Sequence, residues 1–409
     1  MRGLLIQNAR LVTLDGIRPA QAVLCRDGKI ERIAAVADLA PAPGDEVVDA
    51  QGAYLAPGFI DLHIHGCQRW LVDNGAADLA AIAQTLPRYG VTGFLPTVCP
   101  RPKGEDARFL ATLACAKHTG AGVLGFHLEG PFLTLTGALP TDAIGRPDPQ
   151  RVKNLIAAAA PHKAIFSIAP DFEGIRDLLP LMTASGVPAF MTHTRATVEQ
   201  TQSAIEAGAR HATHFYDVFP VPAETEPGVR PAGAVEAILA DPRVSVDFIL
   251  DGVHVHPVAV KMAIQCKGPG GVCLITDANV GAGLPGGRYR FGAEEVEIAG
   301  PGQPARLTEK SRFPGALAGS GLTMDAAVRN AVRLLGVGIP QAVRMASANP
   351  ARVLGLDGRK GQVKEGFDAD LVLLDDSLNV LRTWVGGVGT IPQAITTTEG
   401  KSGSTGETP

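Results

Sequence analysis

Eight short apolar runs alternating with helical patterns constrain the fold of this chain more than anything else in its sequence. They read FIDLHIH from Phe59, VTGFLPT from Val91, GVLGFHLE from Gly122, AIFSIAP from Ala164, PAFMTH from Pro188, HATHF from His211, VSVDFIL from Val244 and GVCLITD from Gly271. Between them lie AADLAAIAQTL, DARFLATLACAKH, GIRDLLPLMTA, TVEQTQSAIEAG, AGAVEAILA and HPVAVKMAIQ, and TMDAAVRNAVRLLG follows the last. Strands too apolar to be wet on one face, separated by helices, imply a parallel sheet with helices outside it. Eight of them give an α/β chain with a (β/α)8 TIM-type barrel. A doubly wound open sheet is the competing architecture, but no G-x-G-x-x-G follows the first run to support a dinucleotide site.

The two ends of the chain read differently. Residues 4–48 alternate apolar and polar positions around Asp27-Gly28, a hairpin signal, and GQVKEGFDADLVLLD from Gly361 again reads as short strands with glycine turns. Neither half makes a stable sheet alone. The expectation is one small β-sandwich built from residues 1–55 and 358–395, a barrel at 56–357, and a disordered tail at 396–409, where TTTEGKSGSTGETP has no periodicity.

Composition limits the partners. The chain has 409 residues, 45% hydrophobic and 19% charged, with a formal charge of -4 and no basic stripe, so neither nucleic acid nor a membrane is an expected partner. Gln7, Asn8 and Arg10 break the N-terminal apolar stretch, which is neither a signal nor a membrane span. A cytoplasmic protein is expected. The six cysteines form no CxxC pair, which fits reduced thiols rather than a disulfide frame.

In a barrel of this kind chemistry gathers at the C-terminal ends of the strands. His63 and His65 end the first run, Glu129 the third, His193 the fifth, His214 the sixth and Asp277 the eighth. Imidazole and carboxylate together suit a divalent ion, zinc first, with iron or another first-row ion as the alternative. His127, two before Glu129, shares its face one layer deeper, and His211, three before His214, is expected to point to the other side of its strand. His254, in DGVHVHP after the seventh run, sits at the same rim, where polarising or binding a substrate and a structural role are the alternatives.

FIDLHIHG, GVTGFLPT, HLEGPF, DGVHVHP, ITDA and LAGSGLTMDAAVRN occur in this order, and together they resemble N-acetylglucosamine-6-phosphate deacetylase, of the amidohydrolase superfamily. The resemblance implies the barrel, the small β-sandwich from both termini and a homodimer. It makes Glu129, His193 and His214 the ligands of a main metal and Asp277 the acid/base. His63 and His65 help hold a second ion that Glu129 can bridge, so one or two ions are expected per subunit. In such a site an ion brings the pKa of bound water towards about 7. Asp277 then carries the proton to the leaving amine, with His254 polarising the carbonyl. No G-x-S-x-G elbow supports a serine hydrolase.

The sequence departs from the family at three substrate-binding positions. Leu139 stands where members carry a histidine, Asp217 where they carry an asparagine that holds the sugar phosphate, and Thr225 where an arginine precedes Glu-Pro-Gly. A carboxylate for an amide and a lost guanidinium disfavour a phosphate dianion, although Arg195 and Arg230 could bind an anion from another direction. The expected reaction is removal of an acetyl or other acyl group from an N-acetylated amino sugar, with the 6-phosphate left open. The alternatives are hydrolysis of another small amide or cyclic amide, deamination, and a non-catalytic scaffold. The full set of ligands at the strand ends argues against the scaffold.

Overall fold

The computed structural model describes residues 3–141 and 143–390, so the tail expected at 396–409 lies outside the described residues. At its centre is the parallel barrel. Its strands are β1 (Phe59–Ile64), β2 (Val91–Val98), β3 (Phe126–Glu129), β4 (Ala164–Ile168), β5 (Ala189–Met191), β6 (Ala209–Ala212), β7 (Ser245–Ile249) and β8 (Val272–Ile275). They pair in chain order, all parallel. A bridge between Ile64 and Ala278 and a 2.9 Å hydrogen bond from Asp277 N–H to His63 O close the ring between β1 and β8. Every residue of β1, β2, β3, β4, β5 and β8 is buried. Helices cover the outer face, which is why the strands read as unbroken apolar runs. Phe94, Phe126, Phe166, Phe190 and Phe248 are fully buried, each contributing about 1.5–3 kcal/mol relative to exposure.

The seven helical patterns all form helices, the last widening into a π-turn at Ala331–Leu335. The helix Pro149–Ala159 escaped the sequence reading although its start is well marked. Pro149 takes the first position, and the Asp148 carboxylate accepts the amides of Gln150 and Arg151 at 2.9 and 3.2 Å. Two more helices, Ile339–Ala346 and Ala348–Val353, follow near the end of the barrel sequence. Among the described residues no helix is long and apolar enough to cross a membrane.

Both ends of the chain join one eight-stranded sheet, in which Tyr54–Pro57 pairs on one side with Leu4–Thr13 and on the other with Leu371–Leu374. Asp27 and Gly28 form the expected two-residue hairpin, with φ of +49° and +76° and Arg26 opposite Lys29. Positive φ at both central residues matches the right-handed twist of the flanking strands. A second, four-stranded antiparallel sheet, Gly287–Phe291, Glu294–Ile298, Pro304–Leu307 and Leu317–Ser320, was not anticipated. It is inserted after β8, and its last strand leans on the end of the barrel through Ser320 N–H to Asp277 O at 2.8 Å and Asn279 N–H to Ser320 O at 2.9 Å.

Candidate metal centre and active site

Glu129 ends β3 and forms the middle of the site. Its Oε1 lies 3.2 Å from His193 Nε2 and 3.0 Å from His214 Nε2, while Oε2 lies 3.1 Å from His65 Nε2 and 3.6 Å from His63 Nε2. Asp277 Oδ1 is 3.5 Å from Nε2 of both His63 and His65. All six residues are buried. The structure thus brings together the six side chains expected from the strand ends.

Four of them do not sit in the strands themselves, His65 following β1 by one residue. His193, His214 and Asp277 each fall two residues beyond the last residue of β5, β6 and β8, with φ of +49°, +34° and +44°. Non-glycine residues in the left-handed region cost about 1–3 kcal/mol and persist where their surroundings hold them. Here the holding groups are visible. His214 N–H donates to Asp247 Oδ1 at 2.5 Å, Asp277 N–H to His63 O, and Leu135 N–H to His193 O at 3.0 Å. The turn also explains why His211 was misplaced. With His214 out of strand register, His211 and Thr213 share the inner face, and His211 Nε2 pairs with Asp247 Oδ2 at 2.8 Å inside the barrel.

Each imidazole is held through its other nitrogen. His193 Nδ1 lies 2.8 Å from Leu135 O, His63 Nδ1 3.2 Å from Thr213 Oγ1, His65 Nδ1 3.6 Å from Cys99 Sγ, and His214 Nδ1 3.4 Å from Asp217 O. Engaging Nδ1 fixes the ring and leaves Nε2 as the donor atom, the usual arrangement around a metal ligand. His127 lies behind them, bonded to Leu62 O and Ser167 Oγ, and takes no place in the cluster.

Charge is concentrated here. Burial alone would raise the Glu129 carboxyl, but His63, His193 and His214 outweigh it and hold the group well below the usual carboxylate range. Burial likewise pulls His65 and His214 down, yet the Glu129 carboxylate carries them up to about 9 and about 10. Among the described residues Asp277 Oδ1 is nonetheless buried with no hydrogen-bond partner, and Glu129 Oε2 meets His65 and His63 Nε2 only as ion pairs without hydrogen-bond geometry. Such orphaned oxygens are costly unless a cation meets them. His63, Glu129 and His214 form one group of ligand atoms within 4.8 Å, and His63, His65 and Asp277 form another. The donor set fits one or two divalent ions.

The substrate-side residues divide. A cavity of 270 Å3 opens over the cluster, and Leu139, Asp217, Asn279 and Phe291 help to line it. His254 is not among the residues that line the cavity; it is held by Asp251, 2.7 Å from its Nδ1, and among the described residues its buried Nε2 has no partner. Burial would lower His254, but the Asp251 carboxylate raises it above the ordinary histidine value. Arg195, Thr225 and Arg230 are exposed and outside the cavity wall, and Arg230 stands 3.4 Å from Glu236.

Sequence reasoning missed several residues that shape the site. Asp247 accepts from His214 N–H, Thr213 and His211, and Asp61 accepts from the His63 and Thr276 amides. The signal was present, because each is a lone acid inside a buried strand run. Cys99 and Asp73, which with His65 form a third group of close ligand atoms, carried no such mark. Phe291 and Leu317 come from the unanticipated sheet.

A ring of ligands at strand ends of a parallel barrel defines a metal-dependent hydrolase, and the chain belongs to the amidohydrolase family, whose model matches residues 54–389. Amidohydrolases act on carbon–nitrogen bonds. More narrowly, the chain is 34% identical to the N-acetylglucosamine-6-phosphate deacetylase of Lysinibacillus sphaericus, over 93% of this chain and 96% of that protein. It is 35% identical to the N-acetylgalactosamine-6-phosphate deacetylase of Escherichia coli O157:H7, over 92% and 97%. The N-acetylglucosamine-6-phosphate deacetylase of Pasteurella multocida superposes with a TM-score of 0.84 at 26% identity, covering 95% of this chain and 100% of that one. That of Mycobacterium smegmatis gives 0.83 at 29%, covering 96% and 100%. The fold and family expected from the sequence are borne out.

Proposed function

We propose that the protein removes the acetyl group from an N-acetylated amino sugar, with His63, His65, Glu129, His193, His214 and Asp277 holding one or two divalent ions. The observation that carries this reading is the Glu129 carboxylate, faced by four imidazole Nε2 atoms beside an unpartnered Asp277. Zinc is the proposed ion, since it favours imidazole and carboxylate donors. When bound, the ion supplies Lewis acidity, polarising an amide carbonyl and bringing the pKa of water to about 7.

The side chains do the rest. Asp277, with Oδ1 unengaged, takes a proton from the attacking water and returns it to the amine nitrogen, which must be protonated to leave. His254, oriented by Asp251, presents Nε2 as a donor to the oxygen on which negative charge develops. Leu139 and Phe291 give the cavity apolar walls.

Among the described residues no lysine or arginine lines this cavity, and Asp217 places a carboxylate in it. These features support a substrate that needs no 6-phosphate. The test is acetate release from N-acetylglucosamine and N-acetylgalactosamine, each with and without 6-phosphate. The expected result is kcat/KM for the two forms within about tenfold, that is, within about 1.4 kcal/mol. A preference above about a hundredfold for the phosphorylated sugar overturns the phosphate reading, and absence of acetate release from all four overturns the deacetylase reading. A homodimer is proposed from the family resemblance, to be read by solution mass. Six unpaired thiols support a reducing compartment, the cytoplasm.

A further inference from the structure

The other end of the barrel carries a larger cavity, 780 Å3, that the chemistry above does not use. It is built from the segments leading into β5–β8 and from Arg344, Arg352 and Val353 of the two final helices. Arg210, Arg243, Lys267, Arg344 and Arg352 line it, and among the described residues no aspartate or glutamate does. In a chain with 37 basic and 41 acidic residues, this is a strong local segregation of charge.

Arg243 is neutralised by Asp241 at 2.6 Å. The hydrogen bonds of the other four go to uncharged acceptors. Arg210 donates to the carbonyls of Ile205 and Ala209, Lys267 to those of Ile238 and Asp241, Arg344 to Asn349 Oδ1 at 3.3 Å, and Arg352 to the carbonyl of Gly270. These bonds orient the cations without cancelling their charge. The two guanidiniums also converge. A Cβ on Gly270 would lie 2.8 Å from Arg352 Nη1 and 3.3 Å from Arg344 Nη2, so both reach the same point above a Gly-Pro-Gly-Gly turn. Like charges that converge on one point repel, and the cost is relieved when an anion sits between them. Burial pushes the Lys267 ammonium down to about 8 against the pull of the Asp241 carboxylate.

We propose that this cavity is a second ligand site, for a phosphate dianion gripped by Arg344 and Arg352 with Arg210 and Lys267 beside them. Guanidinium forks match phosphate oxygens in pairs. The volume falls in the range of about 300–1,000 Å3 typical of small-molecule sites, leaving room for an organic group on the phosphate. The site lies at the opposite end of β5, β6 and β8 from His193, His214 and Asp277, so it is separate from the catalytic cluster.

The test is isothermal titration of the full-length, metal-loaded protein with inorganic phosphate and, separately, with AMP. Saturable binding of at least one is expected, weakened at least tenfold in Arg344→Gln/Arg352→Gln. Because that double variant removes structural hydrogen bonds, Arg243→Glu serves as the second variant. It places a carboxylate on the exposed rim and is expected to weaken binding at least threefold. Tighter binding of AMP than of phosphate assigns the site to an organic monoester, and equal binding assigns it to free phosphate. No saturable binding to the wild type, or unchanged affinity in both variants, overturns the proposal.

Discussion

At Asp277 the backbone is bent to present one carboxylate. Its φ is +44°, its N–H is tied to His63 O, and its carbonyl receives Ser320 N–H. Gly319, with φ of +67°, presses so close that a Cβ there would stand 2.6 Å from Asp277 O. The carboxylate so held has its Oδ1 buried without a hydrogen bond among the described residues, which supports the acid/base role proposed for it. Asp277→Asn keeps the shape and removes the proposed base, so kcat should fall by about 10²–10⁴. Steady-state assays with metal content measured on the same sample check this, and full activity in a metal-loaded variant refutes the role. Asp277 was legible because it closes an apolar run, as His63, His65, Glu129, His193 and His214 do. Cys99 and Asp73 were not, because their approach to His65 depends on how the loops after β1 and β2 fold over the barrel mouth. No spacing in the chain encodes that approach.

Between strands, the site depends on a polar layer beneath the ligands. Asp247 on β7 reaches across to β6, where it accepts from His214 N–H, from Thr213 Oγ1 at 3.1 Å and from His211 Nε2. Thr213 in turn meets His63 Nδ1 on β1. One carboxylate therefore sets two imidazoles that come from strands on different sides of the cluster. Asp247→Ala leaves three buried donors unpaired and should weaken metal affinity by about 10–100-fold, with about 3 kcal/mol lost from stability. Chelator competition on the refolded apoprotein and urea unfolding measure the two. A variant that binds metal like the wild type shows that the layer is only structural. At this scale the strands were readable from continuous apolar runs. The inserted sheet, whose GRYRF and EEVEI segments are polar and half-exposed, lacks that signature and depends on pairing that only the folded chain displays. The helix at Pro149–Ala159 did carry a readable start in Asp148-Pro149, but it lies among loop-like residues.

The barrel sequence begins and ends in the same small sheet, so the fold is completed only when the two ends of the chain meet. The tip of the Asp27-Gly28 hairpin docks on the C-terminal segment, with Ala369 N–H donating to Gly28 O at 2.8 Å and Ile30 N–H to Phe367 O at 2.9 Å. Beside these bonds Asp368 gathers three cations. Its oxygens lie 2.5 Å from Lys29 Nζ, 2.8 Å from Arg359 Nη2 and 2.9 Å from Lys360 Nζ. Lys29 and Asp368 stand 339 residues apart in sequence, so the pair reports closure of the whole molecule. Burial would raise Asp368, but Lys29, Lys360 and Arg359 bring it down to about 2, against about 3.9 in an unfolded chain. A carboxyl depressed in the folded state adds stability that is complete above the unfolded value and is lost as pH falls through the folded one. Solvent screens the network, so Asp368→Asn should cost about 1 kcal/mol at pH 7. The difference from wild type should be constant from pH 7 to 5 and shrink below pH 4. Urea midpoints taken at steps from pH 7 to 3 measure it. A gap that is already closing at pH 6, or that persists undiminished at pH 3, assigns the effect to packing instead of charge and removes Asp368 as the electrostatic clasp between the ends of the chain.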